Sequence, residues 1–213
     1  GGGMFEDRDG SGSIGTGAGT VDDPGDMMII GNTTPRYSYS FRIEASWNGF
    51  DISAFFQGVG KRDWYPTANK DDIYGANQFW QLYGYTIPSF ITYDFMDDVW
   101  SEQNPGGYFP RLRPIQSYNG GPLGQNNDRY LQSVAYLRFK NLTIGYTLPV
   151  LKKYLSKLRI YVSGENLCYW SPLKKHCKLI DPELAISSGT YKGGTGTGYT
   201  MPRTFSFGVD ITF

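Results

Sequence analysis

The run Arg36-Tyr37-Ser38-Tyr39-Ser40-Phe41-Arg42-Ile43-Glu44-Ala45-Ser46-Trp47 alternates without exception. Tyr37, Tyr39, Phe41, Ile43, Ala45 and Trp47 share one face, and Arg36, Ser38, Ser40, Arg42, Glu44 and Ser46 take the other. Successive side chains of a strand point to opposite sides, so this period of two predicts a β-strand. Asn48-Gly49 follows. That dipeptide tolerates the positive φ angles of a two-residue hairpin turn. The alternation then resumes, with Phe50, Ile52, Ala54 and Phe56 against Asp51, Ser53, Phe55 and Gln57.

Three more strands read the same way. In Tyr136 to Leu148, Leu137 and Phe139 oppose Arg138 and Lys140, after which Leu142, Ile144, Tyr146 and Leu148 take the apolar role. The phase slips by one near Asn141, as a β-bulge does. Leu158, Ile160 and Val162 oppose Arg159, Tyr161, Ser163 and Glu165. Phe205, Phe207, Val209, Ile211 and Phe213 oppose Thr204, Ser206, Gly208, Asp210 and Thr212. The chain thus divides into a loop (1–35), a hairpin (36–60), a long loop (61–133), a second hairpin (134–167), a loop (168–202) and a terminal strand (203–213).

Composition agrees. The 213 residues hold 13 Phe, 5 Trp and 17 Tyr, too aromatic for a disordered chain. Twenty Lys+Arg balance twenty Asp+Glu, which lacks the basic surplus of a nucleic-acid binder. No apolar run reaches the length of about 18 residues that marks a transmembrane helix, and the opening Gly1-Gly2-Gly3-Met4 shows no leader pattern. Strands cross a membrane with about 9–11 residues of alternating character.

Connection lengths alternate between short turns and long loops. This is the pattern of an outer-membrane barrel, with turns periplasmic and loops extracellular. The apolar faces end in Tyr37, Trp47, Phe50, Tyr146 and Phe213, as interfacial girdles do. The polar faces carry Arg42, Glu44, Arg138, Arg159 and Glu165, which suits a wet lumen. A soluble β-sandwich with large insertions, binding carbohydrate through its aromatics and calcium through a loop, is the alternative. Five strands do not close a single-chain barrel, which needs about 8 or more. The expectation is therefore the C-terminal portion of something larger.

Several motifs occur in order. Gly31-Asn32-Thr33-Thr34-Pro35-Arg36-Tyr37 precedes Trp47-Asn48-Gly49-Phe50-Asp51-Ile52-Ser53-Ala54-Phe55-Phe56-Gln57-Gly58. Tyr136 to Pro149, Arg159 to Leu167, Asp181-Pro182-Glu183 and Met201 to Gly208 follow. Together they resemble the C-terminal barrel of the SusC/RagA family, TonB-dependent outer-membrane transporters of Bacteroidetes. The resemblance implies an all-β fold, the last five antiparallel strands of a barrel of about 22. It also implies import of glycans or peptides, energy delivered through TonB, and a SusD-like surface lipoprotein as lid. The plug that meets TonB is absent from this chain. Phe213 resembles the terminal signal read by the outer-membrane assembly machinery; as a girdle aromatic it reads equally well.

Four groups of residues are chemical candidates. Asp7, Asp9 and Ser11, with Gly12 following, fit the first half of a calcium loop. The acid required at position 12 is replaced by Ala18, so an ordinary acidic turn is the competing reading. Trp64, Trp80, Tyr83, Tyr85 and Trp100 in the long loop could stack on sugar or meet the lid, or could form the loop's own core. Cys168 and Cys177 are placed to staple the last loop by a disulfide in an oxidising compartment. His176 beside Cys177 fits no structural zinc pattern. No nucleophile–base arrangement appears, so no enzyme activity is expected.

Overall fold

A computed structural model of the chain describes residues 5–65, 95–109, 111, 127–149, 155–178, 180–185 and 201–213. Its strands are β1 (Tyr37–Trp47), β2 (Phe50–Lys61), β3 (Asp63–Trp64), β4 (Gln132–Ser133), β5 (Tyr136–Leu148), β6 (Lys157–Trp170) and β7 (Thr204–Thr212). β1, β2, β5, β6 and β7 form one antiparallel sheet in that order. β3 and β4 form a two-stranded ribbon. Among the described residues there is no α-helix, only short 3-10 turns. The protein is all-β, with the five antiparallel strands that the alternation predicts.

The hairpin turn forms at Asn48-Gly49, with φ of 47° and 87°. Both central residues need positive φ in a turn whose twist matches the strands, which is why Asn and Gly stand there. The phase slip is also real. Against both neighbours the β5 ladder skips from Phe139 to Asn141, so Lys140 is the extra residue of a bulge. One strand is longer than its pattern suggests. β6 runs on to Trp170, with residues 168–170 paired to 137–139. A residue at positive φ, Asn166, interrupts the visible alternation just before that extension.

Directly opposed residues of an antiparallel pair lie on the same face, so the register spells out whole rows. Ala45, Ile52, Ile144, Val162 and Phe207 form one row. Ile43, Ala54, Leu142, Gly164 and Phe205 form another, and Trp47, Phe50, Tyr146, Ile160 and Val209 a third. Phe41, Phe56 and Phe139 stack in series at 4.9 and 4.5 Å. This apolar face is bare: Trp47 is 79% exposed and Phe207 71%. The opposite face carries Arg42, Asn141, Glu165 and Thr204 in one row and Glu44, Ser53, Thr143, Ser163 and Ser206 in the next.

The chain separates into two compact units. The first comprises Gly1–Asn32, Trp64–Gln132 and Ile186–Thr195. Its described core contains Trp64, Val99, Phe109 and Tyr130. Arg129 knits this unit by donating to the carbonyls of Gly107 and Tyr108 while lying over the rings of Tyr108 and Tyr130. Asn127 Nδ2 donates to the Tyr65 hydroxyl, and burial pushes that phenol up to about 12. The second unit comprises Thr33–Asp63, Ser133–Ala185 and Gly196–Phe213, and holds the five-stranded sheet. Its buried residues cluster where β5 and β6 meet the turns that follow Trp170: Val134, Tyr136, Leu173, Cys177, Ile180 and Ala185.

Candidate functional site

The polar face of the sheet is a surface of fixed charges. Near the short-turn end, Arg159 of β6 lies between carboxylates from β2 and β7. Its Nε and Nη2 donate to the two oxygens of Asp51 at 2.9 and 2.6 Å, and Nη1 donates to Asp210 at 2.9 Å. The fork-on-carboxylate geometry is bidentate, the strongest form of such a pair. The guanidinium also lies 4.9 Å from the Tyr161 ring centroid. Gly145 is what makes room for this arrangement. A Cβ there would come within 2.6 Å of Arg159 Nε and of Asp51 Oδ1.

At the long-loop end a second charged group is buried. Arg138 is 2% exposed and pairs with Asp181, which is 4% exposed. Arg138 Nε lies 2.9 Å from Glu183, and Lys140 Nζ reaches the same carboxylate at 2.9 Å. The Tyr136 hydroxyl donates to Glu183 at 3.0 Å. Two cations and two carboxylates thus balance. Tyr169, opposite Arg138 in the register, offers its ring to the guanidinium at 4.8 Å. Asp181 also accepts from the Glu183 amide, which holds the Asp181-Pro182-Glu183 turn in shape. Alternation places Lys140 on the same side as Arg138, and the bulge at Lys140 changes the phase of the residues that follow it.

Of the lumen candidates, all five lie on the polar face. Arg42 and Glu44 pair with each other at 3.5 Å and are both well exposed. Glu165 shares a row with Arg42. Alternation puts Asp51, Lys140 and Asp210 on the polar sides of their strands but does not tell which charges they meet on neighbouring strands; Asp181 and Glu183 come from a loop, where no periodicity marks them.

The first calcium candidates are brought together with one further residue. Asp7, Asp9 and Asp26 place carboxylate oxygens within 4.8 Å of one another. Asp7 accepts from the amides of Gly10, Ser11 and Gly12, and Asp26 from those of Arg8 and Gly15. The Gly15 and Arg8 amides, in that order, hold the Asp26 carboxyl below the usual carboxylate range. Ser11 instead donates its hydroxyl to the Ser13 carbonyl. Oxygen ligands of this kind suit a hard cation such as calcium, and the same oxygens already satisfy a turn of backbone amides.

The remaining candidates separate. Trp64 is fully buried, so the structure corrects its assignment as a stacking platform: its ring belongs to the loop's own core. Trp100 is half-buried. Trp80, Tyr83 and Tyr85 lie outside the described residues. The structure also does not pair Cys168 with Cys177; both are free thiols. Cys168 lies within β6 in the row of Phe56 and Phe139, on the apolar face, rather than in the loop. Burial pushes the Cys177 thiol up, which keeps it protonated and unreactive.

Comparison with known proteins agrees with this architecture. No family model matches the chain. A TonB-dependent receptor P3 of Formosa agariphila is 29% identical over 223 aligned positions, covering 100% of this chain and 19% of that protein. The RagAB peptide transporter superimposes with a TM-score of 0.56 at 22% identity, over 87% of this chain and 18% of the other. The RagAB peptide importer in its open-open state gives 0.52 at 20% identity, with the same coverage. The chain therefore spans about a fifth of the length of the curated relative it matches. Along its whole length the chain is similar to a TonB-dependent receptor, and its fold is similar to that of the RagAB transporter structures.

Proposed function

We propose that this chain is a wall segment of an outer-membrane active transporter, importing oligosaccharides or peptides. In this reading energy arrives through TonB, acting on a plug outside this chain, and a SusD-like surface lipoprotein serves as lid. The role is passage rather than catalysis, in keeping with the receptor and transporter relatives.

One observation carries the reading: the sheet has two opposite faces, and the greasy one is uncovered. Phe205, Phe207, Ile144 and Val162 stand exposed, while Arg159, Asp51 and Asp210 are bonded to one another on the other side. In water such a face would aggregate; against lipid it is satisfied. A β-sandwich would cover its apolar face with a second sheet, and among the described residues none does so. The peptide importer likeness favours peptide as cargo, and the aromatic long loop favours sugar. Uptake of labelled oligosaccharide and of labelled peptide by cells carrying the full transporter, with and without TonB, tests the proposal. TonB-dependent uptake of one of them is expected. Folding of the full protein as a monomer without detergent would overturn it.

A further inference from the structure

We propose that the last long loop lays a positively charged lip over the polar face and selects anionic, carboxylate-bearing cargo. The proposal rests on the transporter reading above and names the class of cargo that the transporter admits.

The loop's own acids are spent. Between Glu165 and Asp210 the chain carries two acidic residues, Asp181 and Glu183, against Lys174, Lys175, Lys178, Lys192 and Arg203. Asp181 is 4% exposed and pairs with Arg138; Glu183 is 12% exposed and is shared by Arg138 and Lys140. Both cations belong to β5, so the strand neutralises the carboxylates of the loop. No acid of the loop is left to offset Lys174 and Lys175, which are exposed, as are Lys178 and Arg203.

The loop folds to the polar side of the sheet. Ser40, Gln57, Arg138 and Tyr169 form one row of the polar face, at the end away from the Asn48-Gly49 turn. Asp181 meets Arg138 of that row, and the Tyr169 hydroxyl donates to the Ile180 carbonyl at 3.4 Å. Lys174 is anchored at the same row. Its Nζ donates to the Tyr169 carbonyl at 2.8 Å and lies 3.9 Å from the centroid of that ring, a cation–π contact. Lys175 follows it in the Pro172–Lys175 3-10 turn. In a barrel with this alternation of turns and loops, the polar face lines the lumen and the long-loop end is extracellular, where cargo enters. A wall carrying one sign of charge raises the local concentration of solutes of the other. A lysine ammonium is a compact point charge with rotatable donors, so this lip selects by charge rather than by shape. That suits a carboxylate on a uronate sugar and on an acidic peptide alike.

The test is uptake by cells carrying the full transporter, with and without TonB, of four labelled probes: tetragalacturonate, its neutral methyl ester, hexaglutamate and hexaglutamine. The two pairs distinguish a sugar source of the carboxylates from a peptide source. In at least one pair the anionic probe should enter about tenfold or more faster than its neutral counterpart at low salt, with the ratio shrinking as salt is raised. Lys175→Glu, which leaves the Lys174 contacts in place, should lower that ratio several-fold, and K174E/K175E should abolish it. Lys157→Glu, at the short-turn end of β6, should leave it unchanged. Heat-shifted gel mobility reports barrel folding for each variant. Equal uptake of charged and neutral probes, a ratio in K174E/K175E that matches wild type, or an equal loss in Lys157→Glu overturns the charged lip while TonB-dependent uptake stands. Entry of all four probes at the same rate without TonB sinks the transporter reading and the lip with it.

Discussion

Arg138 and Asp181 are 43 positions apart and form an ion pair in which both side chains are almost wholly buried. Burying opposite charges gains little over a well-packed apolar pair, but removing one partner leaves the other charge stranded. The pair therefore acts as a clasp that holds the Asp181-Pro182-Glu183 turn to the strand wall. Pro182, itself fully buried, is part of what the clasp retains.

Arg138→Ala should destabilise the folded barrel by about 3–5 kcal/mol. It leaves Asp181 and Glu183 facing each other with Lys140 alone to compensate. Asp181→Asn should cost less, because the amide still accepts from Arg138. Denaturant unfolding in lipid, with proteolysis of the loop as a second readout, measures both. A loop equally protected in Arg138→Ala would remove the clasp from consideration.

Nothing in the spacing of residues foretells that clasp, and the reason is physical. A strand writes its own pattern, because each side chain must choose between two faces; β1 through Trp47 shows this in every residue. A loop folding back on the sheet is set by a few distant contacts, and Arg138, Asp181 and Glu183 lie in no common period. Asp26 is the same case, meeting Asp7 and Asp9 across a run of glycines and serines. The end of β6 was hidden for a local reason: positive φ at Asn166 breaks the alternation, so Cys168 reads as loop although it lies in the ladder. Trp64 was ambiguous because a buried indole and an exposed one look alike in sequence.

The uncovered face makes a depth-dependent prediction. Ile144 and Phe207 share a row in the middle of the sheet. Ile144→Arg or Phe207→Arg should cost about 2–4 kcal/mol if that row is near the bilayer midplane. Thr143→Arg and Ser206→Arg, one position away on the polar face, should assemble nearly normally. Heat-modifiable gel mobility and surface levels give the comparison. Equal tolerance on both faces would contradict a lipid-facing surface.

On the polar face, the charges around Arg159 should be unequal in weight. Asp210 is about half exposed, so Asp210→Asn should cost under about 1 kcal/mol. Arg159→Ala removes both partners' cation and the packing over Tyr161, and should cost about 1–3 kcal/mol. Gly145→Val is the sharper probe, because any Cβ at this position enters the space of the Arg159–Asp51 pair. Its unfolding midpoint should fall in the parent, and should fall much less in an Arg159→Ala background. Additive losses in that double-mutant cycle would show that Gly145 and Arg159 are not coupled.

The acidic loop should respond to pH through Asp26. Its carboxyl is held below its ordinary value by the amides of Gly15 and Arg8, so the ionised form is the one the folded loop prefers. A depressed folded value means that the contribution is present above the unfolded carboxylate range and is lost as pH falls through the folded value. Amide exchange of Arg8 and Gly15 should therefore accelerate, relative to its intrinsic rate, as the pH is lowered beneath the carboxylate range. Asp26→Asn should show the loosened pattern already at neutral pH, with the acid transition gone. Repeating the measurement with calcium and then with a chelator separates a cation loop from a turn held by amides alone. Protection that tracks calcium assigns the three carboxylates to the ion, whereas protection indifferent to it assigns them to the backbone. An acid transition that survives Asp26→Asn would place the titrating group elsewhere.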